Sequence, residues 1–258
     1  MEINFVSGTD RQQQILQLLA LQQRISVAEL CDRFAVSAAT ARRDLESLAN
    51  QGKIQRVHGG AIVLTQPPPE QPVLQRQNEQ VDEKKRIGQA AAALVQDGET
   101  IFLGSGTTVL EATRFLRIHR GLTVLTNSLP VVNALSGEEG MTVICLGGIL
   151  RLSELSFIGH ITEQALAEVR ADKIFMGMRA ISLEYGLTQE YLPETMTDRL
   201  ILKAGKEIVV LADHTKFGRT ATVRLAPLES IHTIVTDTGT PQDFLEAVQA
   251  RGLRVVLS

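Results

Sequence analysis

Two hydrophobic rhythms divide this chain. Up to about residue 63, apolar side chains recur every three to four positions, the helical period. In "DRQQQILQLLALQQR", Ile15, Leu18 and Leu19 share one face and Asp10 is placed to cap. "SVAELCDRF" opens on Ser26 with Glu29 three residues on, a capping box. Ala35-Val36 makes a short turn. Ser37 then caps "AATARRDLESLANQG", which Gly52 stops. "KIQRVHGGAIVL" follows as two short β-rich runs around His58-Gly59-Gly60, the mark of a hairpin.

After residue 80 the rhythm changes. Near-continuous apolar runs, "ETIFLGS", "LTVLTN", "MTVICLGG", "DKIFMGM", "EIVVLAD", "TIVTD" and "LRVVLS", predict strands. Helical stretches over 83–96, 107–117, 128–135, 162–169, 194–204 and 241–251 separate most of them. Alternating strands and helices of this kind predict an α/β fold with a parallel sheet covered on both faces. Between the two regions lies "LTQPPPEQPVLQRQNEQ", where Pro67, Pro68, Pro69 and Pro72 forbid a regular helix and favour extended backbone. The expected organisation is a small domain over 1–63, a semi-rigid linker over 64–80 and a larger domain over 81–258.

Composition narrows the class. The chain has 258 residues, 44% of them hydrophobic and only 4% aromatic, with no Trp, so the core must be aliphatic. No apolar run approaches the roughly 18–20 residues that span a bilayer. The start "MEINFVSGTDRQQQ" has neither the basic nor the apolar segment of a secretory signal. Cys31 and Cys145 suggest buried thiols in a reducing compartment rather than a disulfide framework. A cytoplasmic protein is expected, with no membrane partner. The five histidines (58, 119, 160, 214, 232) and two cysteines show no metal-ligand spacing, and no Ser/His/Asp or Cys/His arrangement stands out. No metal, cofactor or catalytic residue is therefore expected.

Net charge is −3, which taken alone disfavours nucleic acid. The distribution reverses that reading. Residues 1–60 hold seven Lys/Arg against six Asp/Glu, and Arg42, Arg43, Lys53, Arg56 and His58 fall close together. A local basic patch is what meets phosphates. A short helix, a tight turn and a second helix form a helix-turn-helix, whose second helix presents its first residues to the major groove. Those residues are Ser37, Ala38, Ala39, Thr40, Arg42 and Arg43. Small side chains let the helix sit deep, and an arginine can fork onto guanine. The hairpin bearing Lys53, Arg56 and His58 then acts as a wing, with a Gly-Gly tip able to approach the DNA backbone. The competing reading makes Arg42 and Arg43 a solvated face paired with Asp44 and Glu46.

In the larger region the polar residues gather at strand ends. Gly104-Ser105-Gly106-Thr107-Thr108 runs from a strand into a helix, offering amides and hydroxyls to an anion. Thr126-Asn127-Ser128, Gly147-Gly148 and Asp213 each follow an apolar strand, and such ends share one edge of a parallel sheet, where ligands bind. Lys216 lies three residues after Asp213. Arg151 and Ser153 fall in a predicted loop over the same edge, Arg179 follows "KIFMGM", and Glu194 opens a helix.

Taken together, "DRQQQILQLLALQQRISVAELCDRFAVSAATARRDLESLANQGKIQRVHGGAIV" closely resembles the winged helix of DeoR-family transcriptional regulators, most distinctively in "VSAATARRDL" and "RVHGGA". The resemblance continues through "DEKKRIGQAAAALVQDGETIFLGSGTT", "VLTNSL", "LGGILR", "ADKIFMG" and "LADHTKFGR". It implies a regulator of sugar metabolism, usually a repressor, that binds a double-stranded operator and works as a dimer or larger homo-oligomer. It also implies a C-terminal Rossmann-like domain, similar to the sugar-phosphate isomerases, that binds a phosphorylated sugar or related metabolite. Within that pattern the position of Glu194 is a pocket carboxylate. The chain departs from the pattern in three places. Gly104 stands where many relatives have Asp, Arg179-Ala180 replaces a small polar or acidic residue followed by Gly, and Asp198 stands where relatives often have Lys. Related isomerases carry acidic residues after the strand that ends here at Gly177. Arg179 cannot serve as a base near neutral pH, so the expectation is a sensor and not an enzyme. The alternatives are an isomerase-like enzyme with an attached DNA-binding domain, and a DNA-binding protein with an inert oligomerisation domain.

Overall fold

The computed structural model describes residues 8–22, 24–50, 53–57, 59–63 and 71–258. The chain separates into two units, Met1–Glu70 and Gln71–Ser258. The first contains α1 (Gly8–Gln22), β1 (Arg24–Ser26), α2 (Val27–Phe34), α3 (Ala38–Asn50), β2 (Ile54–Val57) and β3 (Gly60–Val63). The capping box forms as expected: Ser26 Oγ accepts the Glu29 amide at 3.1 Å, and Glu29 Oε2 accepts the Ser26 amide at 2.7 Å. Ala35 takes a left-handed φ of 50° in the turn between α2 and α3. Ser37 Oγ then accepts the Thr40 amide at 3.2 Å, capping α3. α1 starts at Gly8, so Asp10 lies within the helix rather than at its cap. Gly52, read as the stop of α3, lies outside the described residues.

β1 has no counterpart in the sequence reading, because three residues give no periodicity. It completes a sheet in the order β1-β3-β2 and corrects the role given to Gly60. A Cβ on Gly60 would stand 2.1 Å from the Ile25 carbonyl oxygen. That glycine is bare so that β1 can pair beside it. Ile15, Leu19, Ile25, Leu30, Leu45, Leu48 and Ile54 fill the core between helices and sheet.

The second unit contains α4 (Val73–Arg76), α5 (Val81–Ala92), β4 (Thr100–Leu103), α6 (Thr107–Thr113), β5 (Leu122–Thr126), α7 (Leu129–Leu135), β6 (Met141–Cys145), β7 (Ile149–Arg151), β8 (Ser156–Ile158) and α8 (His160–Ala167). It continues with β9 (Ala171–Gly177), β10 (Ala180–Ser182), β11 (Gly186–Gln189), α9 (Leu192–Lys203), β12 (Gly205–Leu211), β13 (Val223–Ala226), β14 (Thr233–Thr236), α10 (Gln242–Ala250) and β15 (Arg254–Leu257). The seven apolar runs become one parallel sheet in the order β15-β14-β12-β9-β4-β5-β6. Alternate residues feed two cores. Ile101, Leu103, Phe175, Val209 and Leu211 pack with Ile87 of α5 and Val109 of α6. Phe102, Ile174, Met176, Val210 and Ile234 pack with Ile201 of α9 and Val248 of α10.

From β4 the chain builds outward to β5 and β6, then returns to place β9 on the other side of β4. The strand order thus reverses between β4 and β9, and the carboxyl ends at such a switch point are the usual ligand position in an open α/β sheet. Two further elements were not foreseen. The segment after Gly148 folds as the β7–β8 hairpin rather than a loop, and β10, β11 and β13 form a small antiparallel sheet. Their strands are only three or four residues long, too short to register as a pattern.

The stretch 71–80 is not linker. Val73 is buried, its amide donates to the Ser153 carbonyl at 2.7 Å, and Arg76 pairs with Glu154. Pro72 does not block the helix because it precedes it, where a missing amide costs nothing. Cys145 is exposed, because β6 is an edge strand, while Cys31 is half-buried. Among the described residues no helix is long and apolar enough to cross a membrane.

Candidate functional site

On α3 the residues divide cleanly by face. Ser37, Ala38, Ala39, Arg42 and Arg43 are exposed and Thr40 is half-buried, while Ala41, Asp44, Leu45 and Leu48 are buried. At 3.6 residues per turn the exposed set forms one continuous strip. Asp44 does not neutralise the arginines: its carboxylate faces inward and accepts Arg11 Nε at 2.6 Å. Among the described residues no ion pair involves Arg42 or Arg43, so the strip is solvated, as the competing reading has it, but it is not paired with Asp44 or Glu46. The Ser37 and Thr40 hydroxyls lie 3.0 Å apart, so both help to cap the helix. Lys53 and Arg56 are exposed on the hairpin. His58 lies outside the described residues.

In the second unit, the loop after β4 meets the end of β9. The Gly104 amide donates to Phe175 O at 2.9 Å, and a Cβ on Gly177 would stand 3.3 Å from Ser105 O. Gly106 has φ 110°, a backbone state that calls for glycine, and it leads into α6. The first amides of α6 have no partner within the helix, and Thr107 and Thr108 are buried beside them. Gly104 is not sterically required. A Cβ there would make ordinary contact with Phe175 and Met176, at 3.4 and 3.5 Å.

Cations surround this edge. Lys216 is largely buried, with Nζ 3.9 Å from Asp213 Oδ2. Arg179 Nε donates to Glu190 Oε1 at 3.0 Å. Lys84 of α5 is only 4% exposed. Its ammonium donates to the carbonyls of Arg76, at 2.6 Å, and of Glu79. Lys84 feels the charges of Asp213, Lys216 and Arg76, and Lys216 those of Asp213, Arg179, Arg76 and Arg219. Burial pushes both ammonium groups below their ordinary proton affinity, against the pull of Asp213. Asp213 itself is fully buried. Its Oδ1 accepts the Thr215 amide at 3.0 Å and the Thr215 hydroxyl, while Oδ2 has no hydrogen-bond donor among the described residues.

A second group of charges lies on the β7–β8 side. Arg151 pairs with Glu194 and stacks over the Tyr191 ring at 4.5 Å. Ser156 Oγ donates to Glu194 Oε1 at 2.6 Å. Asp198, one turn further along α9, accepts Gln189 Nε2 at 3.3 Å. Burial, reinforced by the charges of Glu194 and Glu154, holds the Asp198 carboxyl well above the usual carboxylate range. Arg76 joins the two groups, pairing with Glu154 while acting on Lys84 and Lys216. Asn127 gives its Nδ2 to Phe157 O at 3.1 Å and leaves a buried Oδ1 that has no donor among the described residues. Among the described residues, no three His, Cys, Asp or Glu side chains gather as a metal site.

The structure thus brings together Gly104 to Thr108, Arg179, Asp213 and Lys216 on one hand and Arg151, Glu194 and Asn127 on the other. Two expected residues serve the fold instead. The Thr126 hydroxyl donates to Leu103 O at 2.6 Å and accepts the Ser128 amide. A Cβ on Gly148 would stand 2.2 Å from Thr162 Oγ1, which marks a packing glycine. Lys84, Arg76, Glu154 and Glu190 were missed. Lys84 had a legible signal, since it shares a helical stripe with the buried Ile87, Gly88 and Ala91. Glu190 supplies beside Arg179 the carboxylate that the local sequence lacks, a pairing across 11 residues that only the fold creates.

Comparison with known proteins agrees with this division. A model of the DeoR-like helix-turn-helix domain matches residues 11–67, and one of the DeoR C terminal sensor domain matches residues 79–238. Transcriptional repressor AccR of Agrobacterium fabrum is 34% identical over 237 residues, covering 92% of each chain. The glycerol-3-phosphate regulon repressor of Escherichia coli is 32% identical over 249 residues, 96% of this chain and 98% of that protein. Ribose 5-phosphate isomerase A from Methanocaldococcus jannaschii aligns over 53% of this chain and 54% of its own at 20% identity, with a TM-score of 0.39, too coarse to bear on chemistry. The chain belongs to the DeoR family of DNA-binding transcriptional regulators.

Proposed function

We propose that this regulator represses a carbohydrate-metabolism operon and that its second unit senses a phosphorylated sugar or a related metabolite. The observation that carries the reading is a pair of buried acceptors, Asp213 Oδ2 and Asn127 Oδ1, that lack donors among the described residues, with Lys84, Lys216 and Arg179 gathered about Asp213 at the sheet edge. A buried acceptor without a donor is costly, and the hydroxyl groups of a sugar supply donors. A phosphate suits the cations and the amides opening α6. Arg151 and Glu194 complete the candidate site. On the DNA side, Arg42 and Arg43 meet base edges, Ser37 and Thr40 border the backbone, and Lys53, Arg56 and His58 form the wing contact. Helix-turn-helix proteins read paired half-sites as dimers, which supports a homo-oligomer, dimeric or tetrameric, in the cytoplasm.

Ligand control requires that the effector bind the DNA-competent and DNA-incompetent states unequally. The test is a thermal-shift screen of the full chain with phosphorylated sugars and sugar acids, since a ligand at a hundred times its Kd adds about 2.7 kcal/mol. Hits are then titrated against DNA selected from a random pool. A stabilising ligand that changes DNA affinity is expected, and one that leaves it unchanged refutes the coupling. The same compounds, incubated and analysed for interconversion, separate sensing from isomerase activity, and no turnover is expected.

A further inference from the structure

The second unit begins at Gln71, and α4 is its first helix. Both ends of α4 are tied down. Arg76 Nε donates to the Gln71 carbonyl at 2.9 Å. The Val73 amide donates to Ser153 O at 2.7 Å and Arg76 pairs with Glu154, which fastens α4 to the turn of the β7–β8 hairpin. After α4 the chain turns through Gln80, whose φ of 49° lies in the left-handed region, and enters α5. That turn brings Lys84 of α5 back to the end of α4. Its ammonium donates to the carbonyls of Arg76, at 2.6 Å, and of Glu79.

Lys84 is not satisfied by these two bonds. An ammonium carries three N–H donors. Two go to the carbonyls, and the third has no acceptor among the described residues. The group is buried, yet among the described residues it is in no ion pair. The charges that act on it include Asp213 and Lys216, which follow β12 at the sheet edge. A buried ammonium in this position lacks one acceptor and one close negative charge. A phosphate oxygen supplies both.

We propose that Lys84 couples the effector site to α4: its remaining N–H binds the ligand's phosphate while the other two hold the α4 carbonyls, so that binding tightens α4. This rests on the phosphorylated-ligand reading above and goes further by naming the element on which the ligand acts. The link is continuous within the second unit. It runs from Lys84 Nζ to the Arg76 carbonyl, and from the Arg76 side chain to Gln71, the residue at which the unit begins. An anion beside the ammonium favours its charged form and polarises its bonds to the carbonyls. With only four residues α4 is too short to hold itself. Its order depends on these outside bonds, and it responds when one of them strengthens.

The test is hydrogen exchange of the full chain, followed by mass spectrometry in the segment 71–80. The probes are inorganic phosphate and glucose 6-phosphate, with chloride at equal ionic strength as the control, and calorimetric titration sets their occupancy. In the wild type a bound probe is expected to slow exchange in α4 about threefold or more. Lys84→Met keeps the apolar stem and removes the N–H groups. In that variant a probe brought to the same occupancy is expected to leave α4 exchange unchanged. Lys216→Gln is expected to weaken probe binding yet, at equal occupancy, to keep the slowing, a split that a merely structural role for Lys84 does not produce. Unchanged or faster α4 exchange in the wild type with a probe bound overturns the inference and leaves the sensor reading standing. Slowing that survives in Lys84→Met overturns it as well. If neither probe binds, both readings fall. The wild-type measurement decides the matter even if the Lys84 variant fails to fold.

Discussion

The recognition helix and the strand-end site use charge in opposite ways. On α3, Arg42 and Arg43 face solvent, while the nearby acid, Asp44, is turned inward to Arg11. In the strand-end site the charges are buried: Glu154, Glu194 and Asp198 are each at most 7% exposed, and Lys84 is 4% exposed. An exposed arginine contributes almost nothing to folding and is free to meet DNA phosphates and base edges. A buried charge belongs to the fold, because removing its partner strands it in low dielectric. Variants of the reader should therefore alter binding without touching stability, and variants of the sensor should alter both.

The largest effect expected from this contrast is Arg151→Ala. It leaves Glu194 buried without its guanidinium, and a loss of about 3–5 kcal/mol in urea unfolding is predicted. A stable Arg151→Ala protein would show that the acidic group is not buried in solution and would break the comparison. Asp198→Asn sharpens it with the opposite sign. The folded carboxyl keeps its proton well above the usual 3.8, whereas the unfolded chain has released it. The wild type should thus lose stability as pH rises from that value through the folded pKa. Asn removes the penalty, so the variant should be the more stable protein at neutral pH, with the gap closing below the unfolded value. Melting curves across pH test this, and a variant less stable at neutral pH contradicts it.

Smaller effects are expected on the reader. Arg42→Ala or Arg43→Ala should weaken specific DNA binding by about 1–3 kcal/mol for a contact that forks onto a base, with the melting temperature unchanged. Unchanged DNA affinity in both would remove α3 from the groove. Smallest of all, Lys53→Ala should weaken binding uniformly across sequences and reduce the slope of log affinity against log salt by about 1. A sequence-dependent loss would mean that the wing reads bases.

Much of this was legible in the chain. The seven apolar runs became the seven parallel strands, the capping box at Ser26 and Glu29 formed, and α3 begins where Ser37 announced it. The strand-end loops did meet at one edge, because parallel strands joined by helices have no other way to run. Less legible were elements too short to repeat, such as β1, the β7–β8 hairpin and the β10–β11–β13 sheet, and the four residues of α4, hidden behind Pro72. Thr126 and Gly148 looked like ligand contacts because they follow strands, yet their neighbours claim them for packing.

What the sequence by itself determined is everything governed by local period and capping: two regions, a helix-turn-helix with an exposed basic strip, and a parallel α/β sheet whose carboxyl edge carries the polar residues. Only the tertiary structure decided which charges share a site and which are already taken. Arg11 takes Asp44 across 33 positions, Arg76 takes Glu154 across 78, and Arg151 takes Glu194 across 43. Coulomb interaction depends on distance and burial in space, and neither is encoded by neighbours along the chain. Asp198 shows the difference most clearly. In sequence it is one acid on a helix; in the fold it is a buried carboxyl beside two others.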